Sequence, residues 1–218
     1  ANYGDTFAAA NTYKQQDPVW EPYLMVYNNQ LVAYYTDEAD YTGYDPNTGE
    51  LIADPDWQTK YPDSGNQILA HRTWDGTSGS TWSKPVADEV GTIGSSHNNG
   101  SGDYLGANRP GMTNVVPTTD GKWIMTAEFN VLKIADNPLE FWKAEKLDTR
   151  LIGGIRGYGN PVIVKIPNPT DPTKWSLAFN ASSTGGDIYV NETGASDGVW
   201  VRYRTALAGG YSRNITYV

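Results

Sequence analysis

RPGMTNVVPTTDGKWIMTAEF, residues 109–129, is the stretch that decides the fold. Two β-prone runs, 113–117 and 122–129, are joined by Thr119-Asp120-Gly121. Asp-Gly between such runs predicts a β-hairpin, because glycine adopts a positive φ at little cost. In the second run, Glu128 shares a face with Ile124. A carboxylate on a half-buried strand is costly to desolvate, so Glu128 is either a functional group or a residue at a wet strand end.

The composition limits the class of protein. The chain has 218 residues and a formal net charge of −9, which argues against a nucleic-acid or anionic-membrane partner and suits neutral ligands. It contains no cysteine, so disulfides and thiolate chemistry are excluded. Aromatic residues make up 12% of the chain, a content that suits both β structure and sugar stacking. Four Asn-x-Ser/Thr sequons hint at a secreted, extracellular protein: Asn99, Asn180, Asn191 and Asn214.

A repeat of strands extends outward from the opening hairpin. Three hairpins, near 23–36, 113–129 and 161–180, are each followed by a further strand and a tryptophan-bearing segment. A repeat of about 45 residues with four strands is typical of propeller blades, whereas a β-sandwich is the alternative for a chain with so many strands. The repeat favours an all-β propeller, in which 1–218 form one domain with three blades and the first strand of a fourth.

Several segments interrupt this pattern. Residues 41–66 form a long insertion rich in Pro, Gly and Asp that swells the first blade, and 91–108 form a second long loop. The segment 137–149, NPLEFWKAEKLDT, suits either a short helix or an outer strand. A glycine-rich turn follows at 153–159, and the last ten residues, GGYSRNITYV, begin one more strand.

One turn motif resembles a known structural element. Residues 73–82, TWDGTSGSTW, look like a slightly expanded Asp-box, the BNR-repeat turn of sialidase-type propellers. The resemblance implies that Asp75 and Gly76 hold a tight turn and that Trp82 packs between blades. Residues 187–191 together with Trp200 resemble a weaker copy. The motif indicates a fold and does not specify a function.

Five segments carry a more specific resemblance: WEPYL (20–24), YYTDE (34–38), RPGM (109–112), MTAE (125–128) and YSR (211–213). In this order they resemble the exo-arabinanases of glycoside hydrolase family 93, six-bladed propellers of the sialidase-like kind. The sequence departs from that family at Ala39, where a basic residue is usual, and at Ala127, where an aromatic one is. The resemblance implies that this chain is a C-terminal portion. The other blades would then come from a lost segment, a separate chain or a second copy.

The resemblance also implies a retaining mechanism on α-1,5-linked L-arabinan with two glutamates. Glu21 would be the general acid/base and Glu128 the nucleophile. Such chemistry needs one carboxyl group that donates a proton and one that attacks the anomeric carbon. In a retaining enzyme the two carboxyl groups lie about 5–5.5 Å apart. The alternative for Glu21 is a surface residue before proline.

Six further residues are candidates for substrate binding: Trp20, Asp37, His71, Arg109, Tyr211 and Arg213. Trp20 would stack on a sugar ring, or would be core. Asp37 belongs to an acidic run that is either a solvated loop or the source of a third carboxylate. His71 is either a ligand contact or a hydrogen-bonded core histidine. Arg109 would bind hydroxyl groups or hold a carboxylate, or would form a salt bridge between blades.

Two other functions compete with this interpretation. A sialidase would use several arginines and a tyrosine nucleophile, for which Arg109, Arg156, Arg213 and Tyr211 are available. A carbohydrate-binding propeller without catalysis would need aromatic platforms but no pair of carboxylates. We expect no cofactor and no metal, because two histidines and no cysteine leave mainly oxygen ligands and no calcium-loop motif is present. An oligosaccharide or polysaccharide is the expected partner.

Overall fold

The computed structural model describes residues 19–37, 41–53, 68–90, 110–128, 131–148, 162–180 and 187–206. The chain divides into two compact units, Ala1–Gly111 and Met112–Val218. Four segments predicted from the sequence lie outside the described residues: the loop 91–108, the turn 153–159, the last strand 209–218 and the second half of the insertion, 54–66. No helix in the described part has the length and apolar character needed to cross a membrane.

The first unit contains one four-stranded antiparallel sheet, which we call blade 1. Its strands are β1 (Val19–Tyr27), β2 (Gln30–Asp37), β5 (Ile68–Trp74) and β6 (Val86–Glu89), paired in the order in which the chain runs. β1 and β2 are joined by Asn28 and Asn29, both with positive φ, as a tight two-residue hairpin requires. The predicted hairpin near 23–36 and its following strand are confirmed.

The first part of the insertion is a hairpin of its own. It consists of β3 (Tyr41–Tyr44) and β4 (Leu51–Ala53), so the prediction of an irregular loop is wrong for these residues. Its inner end is attached to the last strand of blade 1. The amide of Leu51 donates to the carbonyl of Pro85 at 3.0 Å, and the amide of Ala87 donates to the carbonyl of Gly49 at 2.9 Å. This hairpin therefore extends the outer edge of blade 1.

The second unit contains two more sheets of the same kind. Blade 2 consists of β7 (Asn114–Pro117), β8 (Trp123–Ala127), β9 (Val131–Ala135) and β10 (Leu147–Asp148). Blade 3 consists of β11 (Ile163–Pro167), β12 (Trp175–Asn180), β13 (Ile188–Asn191) and β14 (Trp200–Tyr203). The segment 137–149 holds both predicted alternatives, because a 3₁₀ helix (Phe141–Lys143) precedes the outer strand β10.

The core of the second unit lies between these two sheets. Its buried members come from both blades: Val116, Ile124, Leu132, Ile163, Leu177 and Phe179. Trp200 packs against this core with its ring edge-on to Phe179, at 6.0 Å between ring centroids. Face-to-face packing of small meandering sheets leaves each middle strand buried on both sides, as β8 and β12 are. Three four-stranded meanders confirm the all-β blade repeat in preference to a sandwich of two large sheets.

Candidate functional site

Glu128 lies directly after β8, at the end of the opening hairpin. The strand before it is buried on both faces, and the Glu128 side chain is itself only 9% exposed. The carbonyl of Glu128 accepts a hydrogen bond of 3.3 Å from the amide of Val131, the first residue of β9. The structure therefore places this carboxylate in a buried position and not at a wet strand end.

Glu21 lies in a bulge of blade 1. The register of the β1–β2 pair shifts between Trp20 and Tyr23, so that two residues of β1, Glu21 and Pro22, face the single residue Tyr35. The φ of Glu21 is +53°, in the left-handed region that costs an L-residue about 1–2 kcal/mol. Its side chain is exposed. Bulges re-aim side chains and are frequent beside active sites.

Three of the predicted residues share one end of blade 1. Val19 pairs with Asp37, and Trp20 is the next residue of β1, immediately before Glu21. Trp20 is 47% exposed, so the alternative of a core tryptophan is wrong. Asp37 is 5% exposed, which also contradicts the alternative of a solvated loop. The pairing of β1 with β2 thus places these three residues at the same end of blade 1.

Two hydrogen bonds secure the polar groups around Asp37. The hydroxyl of Tyr41, the first residue of β3, donates to Asp37 Oδ2 at 2.9 Å. Arg72 Nε donates to the hydroxyl of Tyr35 at 3.0 Å. Burial, reinforced by the Asp37 charge, raises the pKa of Tyr35 to about 12 and also raises the pKa of Tyr41. Both phenols therefore stay protonated at neutral pH.

His71 lies inside blade 1. It is 2% exposed, and its Nδ1 is 2.9 Å from Asp88 Oδ1, a carboxylate that is fully buried. Its ring also lies 5.4 Å from the ring of Tyr34. Asp88 lies at a second irregularity, where the β5–β6 register shifts. This geometry favours the hydrogen-bonded core histidine, and a contact between His71 and substrate stays a prediction.

Three other predicted residues, Arg109, Tyr211 and Arg213, lie outside the described residues. Sequence reasoning missed Tyr41, Arg72 and Asp88, which hold the polar groups of blade 1 in place. For Arg72 the sequence did offer one signal. Side chains alternate along β5, so Arg72 was expected on the face opposite to His71. Tyr41 and Asp88 carried no local signal, because their partners are brought to them by the folding of the sheet. In the described part no group of three or more His, Asp or Glu side chains could hold a metal ion.

Asp75 and Gly76 form a turn after β5, whereas the packing of Trp82 between blades stays a prediction. Asp75 Oδ1 accepts hydrogen bonds from the amide of Thr77 at 2.9 Å and from the hydroxyl of Ser80. The bond from Ser80 is the main cause that lowers the pKa of Asp75. Gly76 has φ +78°. Trp82 is 40% exposed and lies 6.3 Å from the ring of Trp74, between ring centroids.

In the segment 187–191 of blade 3, which resembles a weaker copy of this motif, the last residue and not the first forms the turn. Asp187 does not form the turn, because its carboxylate pairs with Arg202 of the neighbouring strand. The turn after β13 is held by Asn191, whose Oδ1 accepts from the amide of Gly194 at 3.0 Å and whose Nδ2 donates to the carbonyl of Ala195 at 2.8 Å. In blade 1 and in blade 3, an Asx side chain therefore organises the turn between the third and fourth strands.

A polar cavity of about 220 Å³ lies at the other end of blade 2 from Glu128. Lys122, which precedes β8, lines it together with residues that follow β9, among them Asp136 and Asn137. None of the predicted site residues lines this cavity. A five-residue strand spans about 17 Å, so the cavity is remote from the Glu128 end of the same sheet.

Among known proteins, the chain is similar to solved structures. No family model and no curated protein match it. A family 93 α-L-arabinofuranosidase of Fusarium graminearum in complex with arabinobiose matches with TM-score 0.55 at 18% identity, over 90% of this chain and 48% of that one. A Penicillium chrysogenum α-L-arabinanase in complex with arabinobiose matches with TM-score 0.57 at 16% identity, over 94% of this chain and 50% of that one.

A point mutant of the Fusarium graminearum enzyme in complex with an iminosugar inhibitor matches similarly, with TM-score 0.56 at 19% identity. The match covers 89% of this chain and 48% of that one, so the chain spans about half the length of the solved proteins that it resembles. At such identities the likeness establishes the fold. The chain has the all-β, sialidase-like propeller fold of these structures, and three of its blades lie in the described residues.

Proposed function

We propose that this chain belongs to a secreted glycoside hydrolase that acts from the chain end on α-1,5-linked L-arabinan. The single observation that carries the proposal is that two glutamates, one in a bulge and one at a strand end, have different environments. Glu21 is exposed in a strained bulge, and Glu128 is buried at a strand end. The solved structures of the same fold include complexes of an arabinofuranosidase and an arabinanase with arabinobiose.

The proposed chemistry proceeds in two steps with retention of configuration. In the first, Glu128 attacks the anomeric carbon while Glu21 donates its proton to the leaving oxygen, which gives a covalent glycosyl-enzyme and a free alcohol. In the second, Glu21 removes a proton from water, and the water oxygen displaces Glu128 from the sugar. Each carboxyl group returns to its starting protonation state.

Substrate recognition is proposed to combine stacking with hydrogen bonds. The exposed indole of Trp20 is suited to stack on a sugar face, and Asp37 beside it is suited to accept from sugar hydroxyls. Arg109, Tyr211 and Arg213 are proposed to add further polar contacts. Because the chain spans half of the related solved proteins, we also propose that further blades complete the propeller, from a longer polypeptide, a separate chain or a second copy.

Product analysis on linear arabinan beside a sialic acid glycoside tests the function. Release of short arabinose products from chain ends supports it. Release of sialic acid instead would support a sialidase, for which the arginines named above are the candidates. Binding of arabinan without any hydrolysis would support the carbohydrate-binding alternative. Glu128→Gln is the matched control, since the amide keeps the shape of the side chain but cannot attack.

A further inference from the structure

The bulge in β1 has an unusual residue at its first position. A bulge most often places its first residue near the right-handed helical region, and the variant with a left-handed first residue ordinarily carries glycine there. Glu21 occupies that position with φ +53°. A strained backbone of this kind persists only where the surrounding structure enforces it, and such positions cluster at functional sites.

Pro22 excludes the common form of the bulge. The proline ring disfavours the right-handed helical region for the residue before it, so Glu21 is denied the conformation of the common bulge. Proline has no amide hydrogen to leave unpaired, which is why bulges tolerate it within a sheet. The residue opposite is also held in place, because Tyr35 is buried and its hydroxyl accepts from Arg72 at 3.0 Å.

We propose that Pro22 is a positioning residue that aims the Glu21 carboxylate by forcing the left-handed bulge. The proposal rests on the proposed function, in which Glu21 is the general acid. In Pro22→Ala the bulge is free to relax to the common form, in which the first residue is near the right-handed region. The backbone at Glu21 then turns, and the side chain leaves the direction that the bulge imposes.

The first test measures backbone geometry and needs no substrate. Glu21→Gly and Glu21→Ala both remove the carboxylate, but only glycine accepts a left-handed backbone without strain. We expect the glycine variant to melt about 2 °C or more above the alanine variant. In an ordinary extended strand the order is the reverse, because glycine loses more conformational freedom on folding. An alanine variant as stable as the glycine variant, or more so, overturns the strained bulge.

The second test measures positioning. It compares hydrolysis of arabinan, whose leaving group needs a proton, with hydrolysis of a nitrophenyl glycoside of the same sugar, whose leaving group needs little acid assistance. A positioned general acid contributes about 10²–10⁴-fold, so Pro22→Ala should slow arabinan hydrolysis by about tenfold or more and the nitrophenyl glycoside much less. Pro167→Ala is the matched control, because Pro167 ends a strand of blade 3 whose register has no bulge.

The outcomes separate this proposal from the proposed function. Selective loss on arabinan in Pro22→Ala, with Pro167→Ala unchanged on both substrates, supports the positioning role. Equal loss on both substrates overturns it and leaves the glycosidase assignment intact. If the wild-type protein, in the form in which it is naturally produced, hydrolyses neither substrate, the proposed function fails and the role of Pro22 fails with it. The glycine–alanine comparison still decides whether the bulge is strained.

Discussion

Two asparagines of glycosylation sequons are structural residues in this fold. Asn180 is 7% exposed and its side-chain oxygen accepts from the amide of Val162. Asn191 is fully buried. Its side-chain oxygen accepts from the amide of Gly194, and its side-chain nitrogen donates to the carbonyl of Ala195 in the turn that follows. A glycan on either amide nitrogen would require the surrounding turn or strand end to open, so neither sequon is an acceptor in the folded chain.

Replacing Asn191 should destabilise the second unit strongly. Asn191→Ala removes three side-chain hydrogen bonds, to the amide of Gly194, the carbonyl of Ala195 and the hydroxyl of Thr193. The first two groups keep a backbone partner, so each lost bond should cost about 0.5–1.5 kcal/mol. We expect the free energy of unfolding to fall by about 2–3 kcal/mol. Urea unfolding monitored by tryptophan fluorescence measures it. Asn191→Asp, which keeps the accepting oxygen, should lose less, and an unchanged midpoint in Asn191→Ala would contradict this account.

Among the elements, the Asp120 turn of the opening hairpin connects blade 2 to blade 3. Asp120 Oδ1 accepts from the amide of Ser196 at 2.9 Å, and Oδ2 accepts from the hydroxyl of the same serine at 2.6 Å. Thr119 adds two bonds to the same neighbouring turn, among them one from its amide to the carbonyl of Gly194 at 2.9 Å. Asp120-Gly121 therefore both closes a hairpin and ties two sheets together.

Because of this connection, the free energy of unfolding should fall as the solution is acidified. The bonds from Ser196 lower the pKa of Asp120 to about 2. A depressed folded-state pKa adds stability that is present above the ordinary value near 4 and is lost as the pH falls toward about 2. The side chain is exposed, so solvent screening limits the effect to about 1 kcal/mol. Unfolding of wild type and Asp120→Asn between these pH values measures it, and parallel profiles would contradict it.

The insertion hairpin should be held by burial more than by its ion pair. Leu51 is 9% exposed, whereas the pair of Lys84 with Glu50 lies at the surface. Leu51→Ala should cost about 2 kcal/mol or more, whereas Lys84→Met should cost much less, because an ion pair between exposed side chains contributes little to stability. Thermal unfolding of both variants compares the two contributions. A larger loss in Lys84→Met would show that the ion pair holds the hairpin.

At the scale of the whole molecule, the proposed function makes a stereochemical prediction. A nucleophilic Glu128 requires two displacements at the anomeric carbon, so the first product should keep the configuration of the substrate. Proton NMR of the sugar released in the first minutes, before mutarotation, measures it. Glu128→Gln should abolish this reaction with an unchanged melting temperature. Inverted product, or activity retained in the variant, would remove Glu128 from the nucleophilic role.

Local features of the sequence determined most of the fold. Alternating β-prone runs, the Asn28-Asn29 and Asp120-Gly121 turns and the repeat of four strands all act over a few residues, and each predicted element within the described residues is present. Such features are readable because a strand and its hairpin turn depend mainly on adjacent residues. Glu21 and Glu128 were predicted as catalytic candidates from short motifs, and their roles stay a prediction.

The tertiary structure alone decided how those residues are held. The hydrogen bond between His71 and Asp88 joins residues 17 positions apart in the sequence. The bond from Thr119 to the carbonyl of Thr193 joins residues 74 positions apart. The bulge at Glu21 arises from the register of two strands. No local pattern encodes these contacts, because each requires a partner that only the folded sheet brings within hydrogen-bond distance.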